Sequence, residues 1–358
     1  MKLRYALALV GAAAVFAVPG CTTLSYYSQA MGGHLDLLRR SEPIGDTLAS
    51  GDTSTELRER LKRAVAIREF ASRELGLPNN ASYRRYADLQ RPFVVWNVFA
   101  APEFALRARD SCFPIVGCVA YRGYYAREAA EAEAAALRAQ GYDVFLGGVP
   151  AYSTLGWLPD PLLNTFIHYP TAELARLLFH ELAHQVVYVR DDTTFNESFA
   201  VAVEEEGVRR WLAAHGSAAE QERYERLQGM KRDFGALIGR YKDKLGTLYA
   251  EDLPAEEKRA EKARLYAEMQ ADYAAQKVAW VGFAGFDRYF AEPNNALLVS
   301  ISTYNEHVPA FRALLAEQGG DLEHFYASVK ALARLDKPER EAQLAALAAG
   351  SRLARSAP

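Results

Sequence analysis

Apolar residues recur along this chain at two different periods, and the change of period predicts its elements. Thr53–Leu77 repeats as an amphipathic helix, with Thr53 or Ser54 placed to cap it and Gly76 and Pro78 to end it. Arg91–Ala101, with Phe93-Val94-Val95-Trp96 at its centre, reads as a strand. A second strand region covers Ile115–Tyr125, interrupted at Arg122-Gly123, and a third covers Tyr142–Leu146. Between them the Ala- and Glu-rich Arg127–Gln140 predicts a helix that stops at Gly141. Tyr152–Leu155 and Leu163–Ile167 read as short extended segments. The pattern then changes. Leu174, Leu177, Leu178, Leu182, Val186 and Val187 place Thr171–Val189 on a helix with an apolar face. Two long charged, Tyr-studded helices follow at Ala218–Tyr249 and Pro254–Val281, joined at Asp252-Leu253-Pro254. Pro254 suits a first helical position, and Glu256 and Glu257 suit a first turn. Asn294–Phe311 interrupts the helices with Asn294, Asn295, Tyr304, Asn305 and His307. Gly319-Gly320 ends one helix, Asp321 caps the next, and the tail after Ala349 is expected to be loose. The order predicts an α+β fold, mainly helical. A small mixed sheet precedes the Thr171–Val189 helix, and a long helical hairpin follows it.

The amino-terminal end carries an address. Lys2 and Arg4 precede the apolar run Tyr5–Val18, which is too short for a comfortable membrane span. Val18-Pro19-Gly20-Cys21 resembles a bacterial lipobox, in which Cys21 would be acylated, for example with palmitate. Thr22 resembles the sorting signal for the outer membrane. The expected location is therefore the periplasmic face of the bacterial cell envelope, held by a lipid anchor. The division that follows is 1–20 signal peptide, 21–42 polar tether, 43–170 an α+β part, 171–349 a mainly helical part and 350–358 a loose tail. Tyr26, Tyr27, Leu35 and Leu37 are the tether residues able to pack.

Composition adds a little. The full chain carries net charge −3; without Lys2 and Arg4 it would carry −5. No basic stripe is present, so nucleic-acid binding is not expected. Of three cysteines, Cys21 is assigned to the lipid, leaving Cys112 and Cys118. An oxidising compartment favours a disulfide between these two, closing a small loop worth about 2 kcal/mol; two buried thiols are the alternative.

The candidate chemistry lies in His180-Glu181-Leu182-Ala183-His184. Residues four apart share one helix face at about 6 Å, so two imidazoles can converge on one zinc ion. Glu181 sits beside them, within reach of a zinc-bound water as a general base. A third ligand is available in Glu197, twelve residues beyond His184. A turn over Arg190–Thr194 and a second helix starting near Thr194 would bring Glu197 level with the pair. Thr194 and Glu197 also have capping-box spacing, the competing role for that carboxylate. Glu204, seven residues on, shares a face with Glu197 and could orient a ligating histidine; it could equally belong to the solvated run Glu204-Glu205-Glu206.

The HExxH motif followed by Asn196-Glu197-Ser198-Phe199-Ala200 resembles the gluzincin metallopeptidases. The second piece is similar to the Asn-Glu-Gly-Phe-Ala segment of large zinc aminopeptidases, with Ser198 replacing Gly. More closely, the chain resembles the bacterial lipoprotein family described as predicted aminopeptidases, including Cys112–Tyr125, Gly148–Pro161 and Asn294–Phe311. The resemblance implies a zincin-like fold, one zinc per chain at His180, His184 and Glu197, and Glu181 as general base. Three features depart from the wider group. The gap of twelve is short, Val201 stands where thermolysin-like enzymes have Asp, and the Gly-Ala-Met-Glu-Asn segment that grips a free amino terminus is missing.

A membrane-anchored zinc peptidase, an aminopeptidase by resemblance, is the expected function. Tyr304, then His307, are candidates to stabilise the oxyanion. Glu204, Glu205, Asp143 and Asp160 are candidates to hold a substrate ammonium. Gly148–Trp157 is either an edge strand that pairs with an extended peptide or a loop covering the core. An endopeptidase acting on envelope proteins or cell-wall peptides is the nearest alternative. A non-catalytic envelope-assembly or chaperone lipoprotein is the second. The sequence names no protein partner.

Overall fold

The computed structural model describes residues 26, 28–113, 117–151 and 153–356. The expected export signal and Cys21 lie outside them. Residues 28–40 form helix α1, so most of the stretch expected as a tether is folded. The cause is apolar: Leu37 is buried in the main core and Leu38 packs against it. Strand β1 (Glu42–Pro43) and helix α2 (Ile44–Ala49) lead to α3 (Thr55–Arg73). Ser54 caps α3 by accepting from the Leu57 N–H at 3.2 Å. Leu61, Ala64, Ile67 and Ala71 form its buried stripe.

Strands β2 (Arg85–Ala87) and β3 (Val95–Pro102) follow, then the hairpin β4 (Ser111–Phe113) and β5 (Gly117–Val119), and β6 (Arg122–Tyr124). Helix α4 (Arg127–Ala139) leads to β7 (Tyr142–Val149) and β8 (Leu162–Leu163). These make three small sheets, in strand order β1-β2-β8, β6-β3-β7 and β4-β5. The first is mixed, with β2 antiparallel to β1 and parallel to β8. In the second, β3 is central and antiparallel to both neighbours, with Val95 opposite Val149 and Pro102 opposite Tyr142. Helix α4 covers one face of this sheet through Ala130, Ala134 and Leu137. Where Leu163–Ile167 was expected to be extended, β8 gives way to a one-turn helix, α5 (Asn164–Ile167). The Asn164 side chain fixes that turn: it accepts from Leu89 N–H at 2.8 Å and donates to Arg91 C=O at 3.2 Å.

The rest is helical. Helices α6 (Thr171–Ala183) and α7 (Thr193–His215) pack against each other in the main core. A Cβ on Gly207 of α7 would lie 2.6 Å from Phe179 of α6, so only glycine permits this approach. Helix α7 is capped not by Thr194 but by Asp192, which accepts from Phe195 N–H at 3.2 Å. Helices α8 (Ala218–Ala250) and α9 (Ala255–Ala279) form the expected hairpin, closed by a second cluster around Tyr241, Met269 and Tyr273. Ser217 and Glu220 make a full capping box at the start of α8. A short α10 (Asp287–Phe290) precedes α11 (Asn295–Asn305), α12 (Val308–Glu317), α13 (Leu322–Leu332) and α14 (Lys337–Ser356). Asn294–Phe311 is thus mostly helical rather than an interruption, with α11 and α12 joined by a turn at Glu306–His307. Asn294 caps α11 by accepting from Leu297 N–H at 3.0 Å, and Pro309 opens α12. Asp321 caps α13 as expected, and α14 carries the expected loose tail on as helix to Ser356. No helix among the described residues is long and apolar enough to cross a membrane.

Candidate metal centre and cleft

The last turn of α6 presents His180 and Glu181, and His184 follows at its C-cap. The chain then turns through Arg190–Asp192 into α7. Asn196 fastens that turn. Its side chain donates to Val189 C=O and accepts from Val189 N–H, each at 2.7 Å. With Asp192 as cap, Glu197 is released from any capping box and points at the histidines.

Three ligand atoms meet there. His180 Nε2 lies 3.2 Å from His184 Nε2 and 3.2 Å from Glu197 Oε2, and His184 Nε2 lies 3.6 Å from the same oxygen. Ligands of a tetrahedral zinc with bonds of about 2.0–2.1 Å stand roughly 3.3–3.4 Å apart, so the spacing fits. All three residues are buried. The Nδ1 of His180 is 2.9 Å from Glu204 Oε2, which makes Nδ1 a donor to that carboxylate and turns Nε2 toward the other two ligand atoms. The second role considered for Glu204, a solvated charge, does not match its 5 % exposure. Glu204 also accepts from Arg176 at 3.1 Å, and Arg176 donates to Glu173 at 2.7 Å.

The electrostatics have the sign of a cation site. Burial works against the Glu197 carboxylate, but the two imidazoles outweigh it and hold it down at about 2. Burial works against a His180 imidazolium too, yet Glu197 and Glu204 hold its pKa up at about 10. A proton therefore competes with any metal for this nitrogen. Burial pushes Glu181 up from the ordinary carboxylate range, with His180 and His184 partly offsetting it. A raised carboxylate is the better proton acceptor near neutral pH.

These groups form the floor of a cleft of about 460 Å³. Its walls come from β3, β5, β6, the segment after β7, the α6–α7 turn and α11. Val149, Ala151, Ser153 and Leu155 line it too; β7 ends at Val149, and the chain turns at Leu155, whose φ is +57°. Of the stretch considered as an edge strand, only Gly148 and Val149 lie in a strand among the described residues, paired with β3 as the end of β7. Tyr304 lines the cleft with its ring stacked on His180 at 6.3 Å between centroids. Burial, then the Glu197 charge, keeps its hydroxyl protonated well above the ordinary range. His307 stands elsewhere, at the start of α12, where its backbone N–H donates to Ser198 Oγ at 3.1 Å. Four further tyrosines, Tyr26, Tyr121, Tyr125 and Tyr188, line the cleft, none of them expected as a site residue.

Cys112 and Cys118 are joined by a disulfide across the β4–β5 hairpin. That hairpin docks on the turn between the ligand helices. Cys118 N–H donates to Asp191 at 2.6 Å, and at Gly117 (φ +78°) a Cβ would lie 2.3 Å from the same carboxylate oxygen.

The four acids considered for a substrate ammonium are engaged elsewhere. Glu204 holds His180 and Arg176, and Glu205 is paired with Arg312 at 2.6 Å. Asp143 pairs with Lys262 at 2.7 Å and accepts from Asn295 N–H at 2.9 Å. Asp160 is buried and accepts from Thr154 N–H at 3.0 Å. None of the four lines the cleft.

Neither a curated protein nor a solved structure matches the chain. Residues 25–344, nearly its whole length and including every ligand candidate, match the family described as "Putative aminopeptidase", and the chain belongs to that family.

Proposed function

We propose that this protein is a zinc-dependent peptidase of zincin-like fold, held at the periplasmic face of a bacterial membrane by a lipid on Cys21. The observation that carries the reading is the triangle of His180, His184 and Glu197 with Glu181 beside it. Two imidazoles and one carboxylate suit zinc, and the His180–Glu204 contact fixes the tautomer that a ligand requires. When bound, zinc supplies Lewis acidity to a carbonyl and acidity to a water. The chain's own residues do the rest. Glu181 accepts a proton at its carboxylate and passes it to the departing amine nitrogen. Tyr304, kept protonated, donates a hydrogen bond to the oxygen on which negative charge develops. The end of β7 at Gly148–Val149, with Ala151 and Ser153 beyond it, flanks a peptide lying in the cleft.

The family description points to cleavage beside a free amino terminus. The reading as a pure binding protein is weaker, because a buried carboxylate next to three metal ligands serves no purpose in it. Dialysis against a chelator should abolish peptide hydrolysis and one equivalent of zinc should restore it. Full activity in the chelated protein would overturn the metal reading. Replacing Cys21 with Ser should release the protein from the membrane fraction and end palmitate labelling. Unchanged membrane association would refute the anchor.

A further inference from the structure

The cleft has a peculiar charge inventory, and it bears on what the proposed peptidase can cut. Its only carboxylates are Glu181 and Glu197. The inventory is complete, because every Asp and Glu in the sequence falls among the described residues. Both are committed, one to the metal and one to the proton. No Lys or Arg lines the cleft among the described residues. Away from the metal floor the walls are Val95, Val119, Val149, Ala151 and Leu155, interleaved with tyrosines and with the uncharged polar Asn97, Ser153, Thr193 and Asn196.

An ammonium group brought into such a place loses its water and gains no anion, which is unfavourable unless a paired charge replaces the solvent. A charged side chain away from the metal meets the same obstacle, with no opposite charge on the walls to pair it. A peptide segment without charge meets none, and its apolar side chains gain from burial against valine and alanine. Val149, Ala151, Ser153 and Leu155 add small and apolar side chains to the wall and no charge.

We propose that the cleft takes an uncharged peptide segment with apolar residues flanking the bond to be cut. Its amino end is acylated or lies several residues away, so the activity is internal cleavage rather than removal of a free terminal residue. The inference rests on the peptidase reading and deepens it. The reaction remains hydrolysis. The water oxygen bonds to the carbonyl carbon, the C–N bond breaks, and the proton taken by Glu181 ends on the new amine.

The test uses the zinc-loaded full chain and two six-residue peptides of one alanine, valine and leucine sequence. One is acetylated and amidated; the other keeps a free amine. The acetylated peptide should be cut at an internal bond with kcat/KM within about threefold of its counterpart. Lysine or aspartate beside that bond should lower kcat/KM about tenfold or more. Release of the first residue alone, from the free amine alone, would overturn the inference. Calorimetry of both peptides on Glu181→Gln separates this claim from the one beneath it. If the wild type cuts neither peptide, hydrolysis fails as the function, yet equal or tighter binding of the acetylated peptide would uphold the cleft chemistry. A tenfold preference for the free amine, or binding of neither, would reject it.

Discussion

Glu204 shows how a single side chain sets the centre. It lies two turns beyond Glu197 on α7 and takes the Nδ1–H of His180, while Arg176 compensates its charge. Burial opposes ionisation of Glu204, but Arg176 and His180 hold its pKa down. Glu204→Gln removes the charge and should weaken zinc binding by about 10–100-fold, read by competition with a chelating dye. An unchanged affinity would mean that the contact is incidental. Asp160 makes a second prediction. Burial raises its carboxyl to about 7. A folded-state pKa above the unfolded one gives stability that is present below about pH 4 and lost as pH rises through 7. Asp160→Asn should therefore flatten the fall in Tm between about pH 4 and 7, a change worth at most about 4 kcal/mol. A profile identical to the wild type would contradict the raised value. At this scale the histidine pair was legible because i and i+4 spacing is local, and Glu197 because one turn and one helix reach back to it. Tyr121 and Tyr188 were not. Tyr121 reaches the cleft from the β5–β6 connection, with no spacing that ties it to the motif; Tyr188, four residues after His184, reaches it from the α6–α7 turn, where α6 has already ended.

The helices that carry the ligands are held by contacts that no periodicity announces. Arg340, from α14, donates to Asp192 at 2.7 and 3.0 Å, and the pair is almost wholly buried. Asp192 in turn caps α7, the helix of Glu197 and Glu204. Arg340→Ala should leave Asp192 charged and unpaired at a cost of about 3–5 kcal/mol, seen as a lower denaturation midpoint together with weaker metal affinity. A loss of less than about 1 kcal/mol would show that the pair does not hold the helix start. The elements misread from sequence share a cause. Asn164 and the Asn294–Asn295 pair look like breakers, yet each asparagine is a fastening. Asn295 is fully buried; its side chain donates to Pro102 C=O at 3.0 Å and to Glu103 C=O at 2.9 Å, and accepts from Tyr249 and Tyr266. Polar residues used inside a core look like loop residues until their partners are known.

In the molecule as a whole, the centre lies where two assemblies meet. One is the main core of α3, α6 and α7 with the helices after α11; the other is the β6-β3-β7 sheet with the α8–α9 hairpin behind it. Helix α11 packs against β3, β7, α7 and α8, and it brings Tyr304 to the cleft. The hairpin is tied to the sheet through Asn295, which accepts from Tyr249 and Tyr266, and through the Lys262–Asp143 pair. The α+β class and the order of sheet, ligand helices and hairpin were legible from the change in apolar period. The division into three small sheets was not, because strands of two or three residues carry too little alternation to register. The most direct test of the central claim is peptide hydrolysis by the wild type and by Glu181→Gln, with zinc measured in both. The account predicts one zinc per chain in each and a loss of turnover on the order of 10²- to 10⁴-fold or more in the variant. Zinc retained with turnover unchanged, or no zinc in either, would contradict it.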